Sequence, residues 1–338
     1  MKLELHYKIS LITAALFLCS PLVFASSDKL ALNPIVIYKT SPQLGDFLGL
    51  IEQGLDKSDR LLGLNTQRKT LRKNESYISA IQKAIAKGFD PIISVYATST
   101  PELKKIVTTN PGTRFVVYDV SYDASNSIGI LFDNSHAAYM VGYLAGLKTE
   151  TGNVGFVGGV DSPSVNNFKC GFELGLLSSN PKAIMHTEYV GSTTSAWSDR
   201  TGAANAANRL IDRGVDIILP VAGAASQGIY NVSKERGTLA FGIDTDQNLN
   251  HPDVVIASMI KHVDKATYAI MKQLHLGIWN SNHKHFGTTQ NMLEVNLNAE
   301  HEMITSDDQR SIDSLNKKMK MPASQPLKLL NKSCNRHL

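Results

Sequence analysis

Cysteine is scarce in this chain, with three in 338 residues. That number is too small for a disulfide-rich scaffold or for a zinc site built from several cysteines. An excess of one charge is also missing, because 34 lysines and arginines balance 30 acidic residues to a net charge of +4. Nucleic-acid-binding proteins usually present a strongly basic surface. We therefore expect no nucleic-acid partner.

Long apolar runs are missing after the N-terminal segment, where no stretch reaches the roughly 20 apolar residues that span a bilayer. The composition, 43% hydrophobic and 19% charged, is that of ordinary globular proteins. A chain of this length suits about two domains, each able to bury a core of its own.

The N-terminus has the pattern of a cleaved export signal. Lys2 and Lys8 precede an apolar run over residues 9–18, and Val23 and Ala25 occupy the −3 and −1 positions of a cleavage site. Pro21 interrupts the run, which disfavours a retained membrane anchor. Cys19 could carry a lipid, but the leucine before it is larger than the small residue usual there. We expect cleavage after Ala25, no lipid anchor and a periplasmic or extracytoplasmic location.

Short β-branched runs alternate with helix-length segments along the rest of the chain. Several runs, such as Ile92–Ile93 and Ile217–Leu219, are apolar on both faces, as are parallel strands covered by helices on both sides. Residues 137–147 are almost wholly apolar, which is typical of a helix packed between layers. The alternation predicts an α/β protein with mainly parallel sheets.

One stretch of sequence occurs twice. Lys87–Ile93 and Arg213–Leu219 each carry a basic residue, a glycine and an aspartate ahead of a buried strand. Gly88 and Gly214 suit the left-handed position that ends a helix. The repeat predicts two similar doubly wound lobes. In such folds ligands bind beyond the carboxyl ends of the strands, here in a cleft between the lobes.

Charged side chains follow three of the predicted strands. Asp119, Asp244 and Lys261 each stand at a carboxyl end, where they would face the cleft. A carboxylate there can accept hydrogen bonds from two neighbouring hydroxyl groups of a ligand. A buried lysine needs a partner, and we expect Lys261 to pair with Asp244. Turn or capping aspartates and a solvated lysine remain open as alternatives.

Five elements of the chain, in order, carry a family resemblance. They are the strand Arg114–Asp119, the segment Gly155–Gly159, Gly223, the segment Gly242–Gln247 and the segment Ser258–Asp264. Together they resemble the basic membrane protein family, the PnrA-like purine-nucleoside-binding components of ABC importers. The resemblance runs from about Pro34 to about Gly277. It implies the type I periplasmic-binding-protein fold and a purine nucleoside bound in the cleft, with no cofactor, no metal and no catalysis.

The resemblance also implies which residues bind the ligand. Phe47 would stack on the base, and Asp244 would hold the ribose. The family usually has an asparagine after this phenylalanine to bond the base, whereas this chain has Leu48, which leaves the base open. The six predicted ligand-binding residues are Phe47, Asp119, Trp197, Gly223, Asp244 and Lys261.

The predicted organisation has four parts and a hinge at Phe132–Asn134. The parts are a signal peptide over 1–25, an N-terminal lobe over 26–133 with about 244–260, a C-terminal lobe over 134–243 with about 261–320, and a flexible tail over 321–338. Cys170 and Cys334 could form a disulfide, or could be one buried and one tail thiol. We expect a monomer.

Two other functions fit parts of the sequence. Nucleoside hydrolases hold calcium with an Asp-x-Asp after a strand, as in Asp244-Thr245-Asp246, but the residues that follow here lack further paired aspartates. A binding protein that serves a membrane sensor would have the same fold and cleft as one that serves an ABC permease. The sequence favours a binding protein over an enzyme and leaves the membrane partner open.

Overall fold

The computed structural model describes residues 32–95, 101–281 and 283–334. The predicted signal peptide lies outside these residues. In the described part of the chain, no helix is both long and apolar enough to cross a membrane.

Twelve strands form two six-stranded sheets in the described residues. In chain order they are β1 (Ile35–Tyr38), β2 (Gln67–Thr70), β3 (Ile92–Ser94), β4 (Phe115–Tyr118), β5 (Ser127–Phe132), β6 (Asn153–Gly158), β7 (Ile184–Tyr189), β8 (Ile217–Val221), β9 (Leu239–Asp244), β10 (Val255–Lys261), β11 (Lys284–Phe286) and β12 (Leu293–Leu297). The first sheet has the order β2-β1-β3-β4-β5-β11, and the second has the order β7-β6-β8-β9-β10-β12. All neighbours are parallel except β12, which runs antiparallel to β10. The prediction of two doubly wound lobes is confirmed.

Helices connect the strands and cover the sheets. In chain order those of the described residues are α1 (Phe47–Leu62), α2 (Tyr77–Ala86), α3 (Pro101–Thr109), α4 (Asn134–Lys148), α5 (Pro163–Ser179), α6 (Arg200–Ile211), α7 (Ser226–Arg236), α8 (Val263–His275), α9 (Ser306–Met319) and α10 (Gln325–Ser333). α1 begins where the Asp46 carboxylate accepts a hydrogen bond from the Gly49 N–H at 2.7 Å. This cap fixes the direction in which α1 leaves the cleft.

The repeated stretch has the same role in both lobes. Gly88 and Gly214 are left-handed, with φ of +72° and +84°. The aspartate after each glycine ties down a neighbouring loop: Asp90 accepts from the Arg114 N–H at 2.8 Å, and Asp216 accepts from two backbone N–H groups at 2.7 and 2.9 Å. These carboxylates stabilise the amino ends of the strands, opposite the cleft.

Two helices of the second lobe pack unusually close together. A Cβ on Gly142 of α4 would lie 2.1 Å from the Phe172 carbonyl oxygen, and one on Gly175 of α5 would lie 2.0 Å from the Tyr139 carbonyl oxygen. Only glycine fits at both positions, so α4 and α5 touch backbone to backbone. This packing sets the first turn of α5 at the edge of the cleft.

The chain passes three times between the lobes. The first crossing, between β5 and α4, coincides with the hinge predicted at Phe132–Asn134. The second lies between β10 and α8, and the third between β11 and β12. The Asp133 N–H donates to the Phe286 carbonyl at 2.9 Å, so the first and third crossings are joined.

The lobe boundaries differ from those predicted. β10 pairs with β9 and β12, so residues 255–260 belong to the second lobe, not the first. Conversely, β11 pairs with β5, and Thr267 of α8 bonds Tyr118 of β4 at 2.7 Å, so these parts of 261–320 belong to the first lobe. Periodicity identifies a buried parallel strand but not its sheet, because both sheets are built from such strands.

The C-terminal tail is not flexible where the structure describes it. Leu327 and Leu330 of α10 are buried, and a disulfide joins Cys334 to Cys170 of α5, with a Cα–Cα distance of 5.6 Å. The prediction of a flexible tail over 321–338 is therefore wrong for 321–334. Two apolar side chains and a covalent bond outweigh the charged, frayed appearance of the sequence.

Candidate functional site

A cavity of about 460 Å³ lies between the lobes at the carboxyl ends of the strands. This volume is in the range of small-molecule pockets. All six residues that the sequence singled out line it, two from the first lobe and four from the second. They are Phe47 and Asp119, and Trp197, Gly223, Asp244 and Lys261.

Three of these residues share a rare backbone conformation. Asp119, Asp244 and Gly223 have φ of +56°, +64° and +58°. A left-handed backbone is uncommon for residues other than glycine, and it persists where the surrounding structure imposes it, often at functional sites. Asp119 follows β4 and Asp244 ends β9, which hold equivalent places in the two sheets.

Lys261 sits among aromatic rings, with 5% of the residue exposed. Its Nζ lies 4.6 Å from the ring centre of Phe47, 4.5 Å from that of Phe132 and 5.8 Å from that of Phe168. These distances are those of cation–π interactions. Two of the rings come from the first lobe, so the lysine at the end of β10 joins the lobes.

The ion-pair partner of Lys261 differs from the prediction. Its Nζ lies 3.7 Å from Oδ1 of Asp119, which belongs to the first lobe. The expected pair with Asp244 is therefore wrong, although that carboxylate still feels the lysine charge. A partner across the cleft is a property of the assembled lobes, which strand ends alone do not reveal.

Asp244 is a buried carboxylate at the cavity. Burial raises the pKa of its carboxyl group. The positive charge of Lys261 lowers this pKa, and the nearby carboxylates of Asp46 and Asp119 raise it, so the pKa is about 6. Asp246, two residues on, accepts the Asn248 N–H at 3.0 Å and acts as a turn residue. Of these two aspartates, Asp244 therefore lies at the cavity and Asp246 belongs to the loop.

Two aromatic side chains face the cavity from opposite lobes. Phe47 begins α1 and packs edge-on against Tyr118, with ring centres 6.0 Å apart. Trp197 lies in a short 3₁₀ turn of the second lobe. Leu48, the departure from the family pattern, also lines the cavity, so an apolar side chain stands where the family has an amide.

Sequence reasoning missed the contribution of α5. Ser164, Val165 and Phe168, all from the first turns of this helix, line the cavity. The helix follows β6, so the rule that places ligands beyond strand ends could have indicated it. Its first turn carries no charged residue to attract notice.

The lobes also touch through residues adjacent in the chain to Asp46 and Asp244, which line the cavity. The Thr245 hydroxyl, just after β9, donates to the Gly45 carbonyl, just before α1, at 3.0 Å. Gly45 is left-handed, with φ of +85°, a backbone conformation that favours glycine in this loop. The structure therefore has its lobes in contact across the cleft.

Known proteins share this sequence and this fold. The chain is 28% identical over 261 residues, 73% of each chain, to Basic membrane protein A of Borreliella burgdorferi. It is 33% identical over 159 residues, 46% of each chain, to Basic membrane protein D of another strain of that species. A solved ABC-transporter solute-binding protein from Aeropyrum pernix has a TM-score of 0.76 at 21% identity, covering 89% of this chain and 99% of that one.

The family model for PnrA-like ABC transporter substrate-binding proteins matches residues 50–326. The solved structure supports the type I periplasmic-binding-protein fold that the resemblance implied. On the match over most of its length, this chain is a member of the Bmp family, the PnrA-like substrate-binding proteins of ABC transporters.

Proposed function

We propose that this substrate-binding protein traps a purine nucleoside between its lobes and delivers it to a membrane ABC permease. One observation carries the proposal: aromatic side chains from both lobes and an inward-facing carboxylate line one cavity of about 460 Å³. A nucleoside offers a flat base and a sugar with neighbouring hydroxyl groups, which these two kinds of side chain suit.

The aromatic walls account for the base. Phe47 comes from the first lobe and Trp197 from the second, so a base between them would touch both. Stacking a base on an aromatic side chain is worth about 1–3 kcal/mol. Contacts to both lobes stabilise the arrangement in which the lobes touch, because a ligand shifts an equilibrium by its differential affinity.

Asp244 accounts for the ribose. Its carboxylate ends β9 at the cavity and can accept hydrogen bonds from two hydroxyl groups. Lys261 remains occupied by Asp119 and the phenylalanine rings, so its role is to join the lobes beneath the ligand. None of these groups has to form a covalent bond, and the function requires binding and release alone.

Leu48 bears on which base is accepted. An apolar side chain cannot hydrogen-bond the edge of a base, and sites that lack such bonds discriminate weakly. We therefore expect tolerance of several bases. Leu48→Asn restores the family pattern and should increase the differences in affinity among adenosine, guanosine and inosine, measured by calorimetry. Unchanged preferences would remove Leu48 from the base site.

Export, cleavage after Ala25 and a monomeric, unlipidated mature protein complete the proposal. Mass spectrometry of the protein secreted by its own cells tests the cleavage site and the absence of lipid.

The central test is a binding screen with Asp244→Ala. Thermal shift and calorimetry should show binding of a purine nucleoside and weak or no binding of free ribose or amino acids. Loss of a hydrogen bond to a charged group should reduce nucleoside affinity by about 1.5–3 kcal/mol. Asp246→Ala, which removes the same charge from the loop, is the matched control and should bind normally. Equal affinity in wild type and Asp244→Ala contradicts the proposal.

A further inference from the structure

The Gly155–Gly159 motif has no role in the binding scheme above, yet its last residue lies directly against the tryptophan of the cavity. A Cβ added to Gly159 would stand 2.6 Å from Cε3 and from Cζ3 of Trp197. A Cβ on Gly223 would stand 3.5 Å from Cε3 of the same ring. The indole therefore packs against the backbone of Gly159 and Gly223, and its contact with Gly159 is the closer one.

The backbone at Gly159 is held in place. Its N–H donates to the Val221 carbonyl at 2.8 Å, and its carbonyl accepts from the Gly191 N–H at 3.1 Å. Both bonds extend the pairing of the second sheet beyond the ends of its strands. A side chain at this position could not be accommodated by retreat of the backbone, so the indole would have to move.

The direction of that movement follows from the lining of the cavity. Trp197 and Gly223 line it, whereas Gly159 does not, so the indole stands between Gly159 and the cavity. Carbon atoms in contact lie about 3.5–4.0 Å apart. A methyl group at 159 would therefore push the ring by about 1 Å toward the ligand space.

We propose that Gly159 is a specificity-determining residue that sets the width of the slot between Trp197 and the opposite lobe. Its missing side chain leaves room for one planar ring against the indole. The inference rests on the proposed function, since it takes the cavity to hold a planar base. It adds that the width of the slot is set by a residue on the far side of the indole, which does not contact the ligand.

The first experiment measures adenosine affinity of Gly159→Ala. Gly159 is outside the left-handed region, so alanine is compatible with its backbone. Hydrophobic pockets respond to one misplaced methyl group by about tenfold or more, and we expect a loss of at least that size. Gly155→Ala is the matched control: its Cβ would meet side-chain carbon atoms of Leu210, Val215 and Ile218 at 3.0–3.2 Å, in the core. It should reduce thermal stability and leave adenosine affinity unchanged.

A double variant separates positioning of the ring from general damage. In Trp197→Ala the indole is gone, so Gly159→Ala should cause no further loss of adenosine affinity. An equal loss in both backgrounds would show that Gly159 acts without Trp197 and would overturn the inference. Wild-type affinity in the single Gly159→Ala variant would overturn it as well.

A fluorescence measurement keeps the test independent of the ligand. The chain has two tryptophans, and Trp279→Phe leaves Trp197 as the reporter. Displacement toward the cavity should increase quenching of Trp197 by acrylamide in Gly159→Ala and leave it unchanged in Gly155→Ala. If the wild-type protein binds no nucleoside, the proposed function fails, and quenching alone decides the placement of the ring. Unchanged quenching in Gly159→Ala would refute that placement.

Discussion

The two lobes have the same strand order but use equivalent positions differently. β4 and β9 are both fourth in the chain order of their sheets, and each leads to a left-handed aspartate at the cavity. Asp119 is paired with Lys261 across the cleft, whereas burial raises the pKa of Asp244. Asp119 therefore holds the lobes together, whereas the carboxylate of Asp244 faces the ligand space.

The lobes also differ at their last strands. β11 extends the first sheet in parallel, and β12 closes the second sheet as an antiparallel edge. Among the described residues, only the second lobe contains a disulfide, which joins α5 to the end of α10. Variants that act on one lobe should therefore have effects that the equivalent change in the other does not reproduce.

The largest effect is expected from Asp119→Ala. The variant leaves the Lys261 ammonium among phenylalanine rings without its ion-pair partner, and breaking a buried pair costs about 3–5 kcal/mol. Urea unfolding measures the loss. Asp244→Ala, the equivalent change in the other lobe, removes a carboxylate whose burial is unfavourable, so it should retain near wild-type stability at neutral pH. Similar losses in the two variants would contradict the division of roles.

Loss of the disulfide should be the next largest effect. Cys170→Ser with Cys334→Ser opens a loop with a sequence separation of 164 residues, and native disulfides stabilise by about 2–4 kcal/mol. Thermal unfolding of the double variant, compared with wild type under reducing and oxidising conditions, measures the difference. Reduction should affect wild type and not the variant. If reduction left the thermal unfolding of wild type unchanged, the disulfide would contribute little to stability.

A smaller effect concerns pH. The pKa of Asp244 is raised to about 6 in the folded protein from 3.8, so the folded state binds this proton more tightly than the unfolded state. The stabilisation from this group is therefore complete below about pH 4 and is lost as pH rises through about 6, by up to about 1.4 kcal/mol per pH unit. The difference in free energy of unfolding between wild type and Asp244→Asn should follow this curve. A difference independent of pH would exclude the raised pKa.

The sequence predicted much of this fold because its signals are local. The strands Ile35–Tyr38 and Ser127–Phe132 are rich in apolar residues and buried at every position, and left-handed Gly88 and Gly214 end their helices as predicted. The six cavity residues follow from the resemblance together with the strand-end rule. Both sources depend on the order of residues along the chain, not on contacts between distant parts.

What the sequence did not predict depends on distant contacts. β2 has the polar sequence QRKT with mostly exposed side chains, so no apolar pattern marks it. The sheet to which β10 belongs and the Asp119 partner of Lys261 are settled only when the lobes assemble. Phe168 reaches the cavity because Gly142 and Gly175 let α4 and α5 pack closely together. The hydrophobic periodicity of one sequence does not indicate such packing.

The three crossings between the lobes have a consequence for how this chain can be cut and synthesised. Neither lobe is a continuous piece: the first lacks β11 and α8 until residue 286 has been made, and the second lacks β12 until residue 297. A fragment ending at the first crossing would expose the edge of β5 and the face of α1 that α8 covers. A nascent chain therefore completes the sheets of both lobes only after residue 297, and production of either half alone should yield aggregates.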